Sequence, residues 1–177
     1  NDPEFHELLI RWFEYGCFCP VMRLHGYRWP LQPQYGTTGG ATCVSGAPNE
    51  VWSYTDQVCE ILSDYLRLRE RMLPYITELM EEAHEKGTPV MRPLFYDFPE
   101  DKESWNVETE YMFGPKVLVK PITDADARET DVYLPGGASW TNAWTGETFE
   151  GGQTVHVAAP IEQIPLFTRD GYKLPME

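Results

Sequence analysis

Arg23 and His25 stand two residues apart at the end of a short apolar run, Phe18-Cys19-Pro20-Val21-Met22-Arg23-Leu24, and are the polar pair best placed to meet a ligand. An imidazole can donate or accept a hydrogen bond near neutral pH, and a guanidinium anchors charge. From position alone, a histidine satisfied by local backbone is the favoured reading of His25, and for Arg23 a buried ion pair that fixes the barrel stays open beside a supporting role at a site. Carboxylates are more abundant but less pointed. Asp56, Glu60 and Asp64 lie along the polar side of a long helical pattern, and Glu81, Glu82 and Glu85 cluster on its continuation, so all six read as solvated groups. Cys17-x-Cys19 lacks the two-residue gap of zinc knuckles and redox motifs, while His6, His25, His84 and His156 show no ligand spacing. No metal site and no cofactor are expected. Cys17, Cys19, Cys43 and Cys59 all fall in the first third of the chain, which suits reduced thiols in a cytoplasmic protein better than a disulfide scaffold.

Elements must position these groups. Phe5, Leu8, Leu9, Trp12 and Phe13 recur at helical spacing behind Asp2 and Pro3, which predicts an amphipathic helix over residues 3–15 that stops at Gly16. The run from Phe18 to Leu24 is short and apolar on both faces, as a buried parallel strand is. Residues 26–49, rich in Gly, Pro, Thr and Gln, have neither period and predict a long loop, either a functional segment or a plain insertion. Val58, Ile61, Leu62, Tyr65, Arg69 and Met72 trace one helical face, polar only at Arg69. The stripe resumes after Pro74 as Ile76, Leu79, Met80 and Ala83 and ends at Gly87.

After Thr88 the period changes to two. Apolar runs at 90–95, 111–113, 117–122, 132–134, 140–144, 155–157 and 164–167 alternate with turn signals, including Pro135-Gly136-Gly137, Thr145-Gly146 and Gly151-Gly152, read as hairpin turns. The pattern describes an antiparallel β-sandwich over residues 88–177. The first 87 residues cannot close a fold alone, because a two-faced strand needs strand neighbours, so they read as the helix-strand-helix end of a (β/α)8 barrel. The class is α+β. In such barrels functional residues sit at the C-terminal ends of strands, where Arg23 and His25 lie. Apolar surface left on the barrel piece would be covered by the remainder of the barrel or, in a homo-oligomer, by another copy.

The chain has 177 residues, enough for one ordinary domain or for part of a larger one joined to a smaller. With 14 Lys+Arg against 28 Asp+Glu, its net charge of −14 repels nucleic acid and anionic lipid. No apolar run approaches the roughly 20 residues that span a bilayer, and residues 1–4 show no signal-peptide pattern. A soluble chain without nucleic-acid or membrane partners is expected.

The run from Phe5 to Gly26, FHELLIRWFEYGCFCPVMRLHG, closely resembles the final barrel segment of retaining α-glycosidases of glycoside hydrolase family 31. Arg71-Met72-Leu73-Pro74-Tyr75-Ile76, Gly87-Thr88-Pro89-Val90-Met91-Arg92-Pro93-Leu94, Tyr111-Met112-Phe113-Gly114 through Val119, and Ile164-Pro165-Leu166-Phe167-Thr168-Arg169-Asp170-Gly171 resemble the same family in the same order. The resemblance implies that His25 hydrogen-bonds the sugar that is cleaved and that Arg23 supports the charge network around it. It also implies that the two catalytic carboxylates precede Asn1, so that the chain is part of an enzyme acting on an α-linked oligosaccharide or glycoside. Gly39-Gly40, Ser45-Gly46-Ala47-Pro48-Asn49-Glu50 and Trp52-Ser53-Tyr54 lean toward α-xylosidase-like members.

Aromatic faces are platforms for sugar rings, and Trp29, Tyr35, Trp52 and Tyr54 flank the long loop; core packing is the expected role of the last two. Trp140 and Trp144, four apart on an expected strand, form either a carbohydrate-binding face or the sandwich core, and core is the reading favoured. A non-catalytic carbohydrate-binding or scaffolding module is the alternative to the glycosidase part.

Overall fold

The computed structural model describes residues 2–24 and 28–176. Helix α1 spans Pro3–Cys17, with the Asp2 carboxylate accepting from the Glu4 amide at 3.1 Å and Pro3 in the first turn. It buries Ile10, Phe13 and Cys17 together with Arg11 and Glu14. The expected face was rotated from this one, because the helix is apolar on two sides: Leu8 and Trp12 remain 55% and 69% exposed. α2 (Asp56–Arg71) starts at Thr55, whose hydroxyl accepts from Val58 N, and α3 (Leu73–Lys86) restarts with Pro74 in its first turn. Gly87, left-handed at φ 70°, ends α3 with its amide on the Ala83 carbonyl.

The expected strand at Phe18–Leu24 is not formed. Phe18 is buried, but a turn and bends carry the chain through Val21, which is 78% exposed, and Leu24 is 39% exposed. A parallel strand is held by hydrogen bonds from both sides, and among the described residues no strand runs beside this one.

The second half begins with β1 (Met91–Arg92) and the one-turn helix α4 (Leu94–Asp97). The remaining strands are β2 (Tyr111–Phe113), β3 (Val117–Val119), β4 (Glu129–Leu134), β5 (Ser139–Asn142), β6 (Thr148–Glu150), β7 (Gln153–Ala158) and β8 (Leu166–Arg169). Six form an antiparallel sheet in the order β1-β2-β3-β8-β5-β6, and β4 pairs with β7 in a second layer. Thr145-Gly146 turns the β5–β6 hairpin as expected. Residues 135–137 and 151–152 are instead crossings between the sheets, since local turn chemistry does not say which strand the chain meets next.

Strand alternation divides the interior in two. Phe113, Val117, Val119 and Leu166 point to one side, where they pack with Ile10, Phe13, Leu62, Tyr65, Met72, Tyr75, Ile76 and Leu79 of the helices. Met112, Leu118 and Phe167 point to the other, where they meet Val132, Leu134 and Val155 of the β4–β7 layer together with Leu94, Phe98 and Trp140. The six-stranded sheet is thus covered on both faces, by helices and by the small second sheet, which is why β3 is buried at all three positions.

Candidate functional site

Arg23 is exposed at the end of the segment that follows α1, and His25 lies outside the described residues. The structure shows how the segment leading to them is held. Arg69, the single polar residue on the apolar face of α2, donates to the carbonyls of Cys17 (2.6 Å), Cys19 (2.8 Å) and Pro20 (3.0 Å). These are carbonyls of the helix end and the turn after it, which would otherwise lack partners, and the positive charge also suits the negative pole of α1. The Cys17 thiol reaches the Tyr65 carbonyl at 3.3 Å, and burial pushes that thiol up to about 12. Cys17 is therefore an inert packing residue.

A second support joins α1 to the strand half. Arg11 Nη2 donates to the carbonyls of Ala159 (2.7 Å) and Ala127 (3.1 Å), and Nη1 to that of Pro160 (3.1 Å) and to Glu14 Oε2 (3.1 Å). The Tyr65 hydroxyl of α2 lies 3.0 Å from Glu14 Oε1 and accepts from Ile164 N at 3.0 Å. Arg11, Glu14 and Tyr65 thereby pin two helices to the 159–164 segment that enters β8. The trio leaves one mark in the sequence, since Arg11 and Glu14 share the stripe of Ile10, Phe13 and Cys17, a stripe the apolar periodicity alone does not single out.

The expected surface carboxylates stay at the surface, with Glu82 half-buried against Arg92 at 3.8 Å. Among the described residues two other carboxylates are buried, and both are engaged. Glu14 is held as above, while Glu110 Oε1 accepts from Tyr133 N (3.0 Å) and Lys120 Nζ (3.3 Å). Among the described residues no three His, Cys, Asp or Glu side chains gather as metal ligands do.

From Arg28 onward the loop is held by backbone pairing. Gln32 and Ser45 exchange both backbone hydrogen bonds (2.8 and 3.2 Å), Ala47 N donates to Arg28 O at 2.7 Å, and a short 3-10 turn, Gly39–Thr42, makes the tip. The Arg28 guanidinium lies 4.7 Å from the centre of the Tyr54 ring, whose hydroxyl donates to Asn49. Tyr54 is partly buried as expected. Trp52, expected in the core, is 72% exposed because its neighbour Val51 takes the buried position of that turn. Trp140 is fully buried, with its indole N–H on the Pro135 carbonyl at 2.9 Å, and the Trp144 indole is tied to Ile164 O at 2.7 Å. Trp140 packs between the two sheets and Trp144, half-buried in the turn after β5, packs against the helix-side core, so the two belong to the core as favoured but do not share one strand face.

Two family models match the chain in succession: the TIM-barrel domain of glycosyl hydrolases family 31 over residues 1–79, and the C-terminal domain of the same family over residues 87–174. The chain belongs to glycosyl hydrolase family 31. Its helical half is the tail of the family's barrel, and its strand half is the C-terminal domain. An alpha-xylosidase of the family from a soil metagenome, solved in complex with xylose, superposes with a TM-score of 0.91 at 47% identity over 98% of this chain and 26% of that one. Alpha-xylosidase of Saccharolobus solfataricus is 36% identical over 99% of this chain, and alpha-glucosidase 2 of Bacillus thermoamyloliquefaciens is 36% identical over 93%. The chain spans 22% and 19% of those two relatives.

Proposed function

We propose that the chain is the C-terminal part of a longer retaining α-glycoside hydrolase that removes terminal α-xylosyl or α-glucosyl residues. The observation that carries this reading is the succession of barrel tail and C-terminal domain at 47% identity to an alpha-xylosidase solved with xylose. Retaining hydrolysis uses a nucleophilic carboxylate and an acid/base carboxylate about 5 to 5.5 Å apart. The two carboxylates buried here are occupied by Arg11, Tyr65, Lys120 and Tyr133, which supports placing the catalytic pair upstream. In this reading residues 1–87 complete the catalytic barrel and residues 88–177 brace it. Exposed Leu8, Trp12 and Val21 are the surface that the remainder of the barrel covers. Arg69 and the Arg11–Glu14–Tyr65 trio fix the segment that carries Arg23 and His25 to the sugar.

His25 donates to or accepts from a hydroxyl of the sugar being cleaved, and Arg23 supports the local charge; neither needs a metal or cofactor. The four free thiols favour a reducing, cytoplasmic setting. Substrate contacts of this kind strengthen as the ring approaches its oxocarbenium-like transition state. In the full-length enzyme, His25→Ala should lower kcat/KM on an α-xyloside or α-glucoside by roughly a hundredfold with an almost unchanged Tm. Near-normal kcat/KM, or unfolding, would return His25 to a structural role. The isolated 177 residues should hydrolyse no p-nitrophenyl α-glycoside, and inhibitor-sensitive turnover by the pure chain would overturn the assignment of the carboxylates to an upstream segment.

A further inference from the structure

Three large aromatic side chains on the loop between the 18–24 segment and α2 are exposed in this chain: Trp29 is 74% exposed, Tyr35 79% and Trp52 72%. The chain does not lack interior for them, since Trp140, Phe18, Phe113 and Phe167 are fully buried. Nor is the loop loose. The Gln32–Ser45 pair, the Ala47–Arg28 bond and the Arg28–Tyr54 stack hold both arms of the loop that presents these rings.

The chemistry of the loop narrows what it can receive. In a chain of net charge −14, residues 28–54 carry two charged side chains, Arg28 and Glu50. Arg28 is engaged by the Tyr54 ring and the Pro48 carbonyl. The rest of the polar surface is neutral: Gln32, Gln34, Thr37, Thr38 and Asn49 among others. Flat aromatic faces beside neutral amides and hydroxyls match a neutral polyol, whose C–H faces stack and whose hydroxyls exchange hydrogen bonds; they do not match a phosphate, a lipid surface or a charged peptide. Location follows from the glycosidase reading, in which the 18–24 segment holds the place of the last barrel strand once the remainder of the barrel is beside it: the loop from a barrel strand to the following helix opens on the face where the active site is built.

We propose that Trp29, Tyr35 and Trp52 receive the sugar units on the leaving-group side of the cleaved bond, and so set a preference for α-linked oligosaccharides over substrates with a small leaving group. The proposal rests on the glycosidase reading above. Stacking beyond the scissile bond contributes binding energy when a leaving sugar is present and nothing when it is absent.

The test compares two substrates in the full-length enzyme: an α-linked disaccharide or trisaccharide, and the corresponding α-glycosyl fluoride, whose leaving group is too small to reach the loop. Trp29→Ala, Tyr35→Ala and Trp52→Ala should each lower kcat/KM on the oligosaccharide, the most affected by roughly fivefold to tenfold, with the fluoride rate and Tm unchanged. Trp29→Phe, which keeps a flat face, should retain most of the oligosaccharide rate. Equal loss on both substrates, or no loss on either for all three variants, would overturn the platform while leaving the glycosidase reading standing. A wild-type enzyme inactive on both substrates would overturn that reading and the platform with it.

Discussion

The hydroxyl of Tyr65 faces two acceptors with one hydrogen: Glu14 Oε1 at 3.0 Å and the Glu162 carbonyl at 3.1 Å, while the Ile164 amide already donates to it. A protonated Glu14 resolves the conflict by donating to Tyr65, which then donates to Glu162. Burial, working against the neighbouring Arg11, pushes the Glu14 carboxyl up to about 7, and Arg11 keeps its backbone carbonyl partners either way. A carboxyl raised in the folded state contributes stability that is full below its unfolded value near 4.5 and is lost as pH rises through about 7. Glu14→Gln imitates the protonated form. Its stability relative to wild type should rise between pH 5 and pH 8, by up to roughly 3 kcal/mol, as followed by urea unfolding. A difference independent of pH would show that Glu14 is ionised throughout.

Arg69 donates three charge-assisted hydrogen bonds to carbonyls of the 17–20 turn, and no other side chain reaches those carbonyls among the described residues. Arg69→Met keeps the stem packed on α2 and removes the donors. The cost should be about 2 to 4 kcal/mol, because partly buried carbonyls are left without partners. Lysine cannot span three acceptors with one ammonium, so Arg69→Lys should recover less than half of the loss. Thermal unfolding of the three proteins decides it.

On the exposed face of β4 and β7, His156 Nδ1 lies 2.8 Å from Asp131 and Nε2 lies 3.4 Å from Glu129. The hydrogen bond to Asp131, then that to Glu129, raises its pKa above the usual 6.5. A raised histidine contributes stability that is full below 6.5 and disappears as pH climbs through the folded value. NMR titration of the imidazole should show a midpoint above 6.5 that moves back toward it in Asp131→Asn. A midpoint unmoved by that substitution would assign the shift to something else.

Much of this architecture was readable along the chain, and the gaps have physical causes. Helices α2 and α3 announced themselves because one continuous apolar stripe is broken by Pro74 and closed by Gly87. Most strands of the second half were visible from alternation. β6 was missed because Thr148-Phe149-Glu150 offers one apolar residue, too few to show a period. The buried face of α1 was misplaced because the helix is apolar on two sides, and periodicity cannot tell which side meets the described partners. Arg11 and Glu14, three apart, look like any surface ion pair in sequence. Their role depends on carbonyls near residues 127 and 160, which only the fold brings to them. The loop aromatics stand out in the sequence, but their exposure depends on the fold: Trp52 and Tyr54 are two residues apart and only Tyr54 packs inward.

Gly114 turns the chain between β2 and β3 at φ 60°, with its amide on the Val90 carbonyl at 2.8 Å. A Cβ there would collide with the Tyr75 hydroxyl and come within 2.5 Å of Leu79 Cδ2, both on α3. The hydroxyl cannot simply swing away, since it donates to the Phe113 carbonyl at 2.8 Å. Gly114→Ala therefore combines a left-handed backbone cost of about 1 kcal/mol with an overpacking cost of about 1 to 3 kcal/mol. Gly137 separates the two contributions. It has φ 85°, and a Cβ would meet nothing within 4 Å, so Gly137→Ala should show the backbone cost alone. Leu79→Ala should be destabilising by itself but should make room beside Gly114, so the double variant should be more stable than the sum of the single losses predicts. Urea unfolding of the four variants measures all of this. Equal costs at Gly114 and Gly137, or strict additivity with Leu79→Ala, would mean that α3 does not seat on the β2–β3 turn as described.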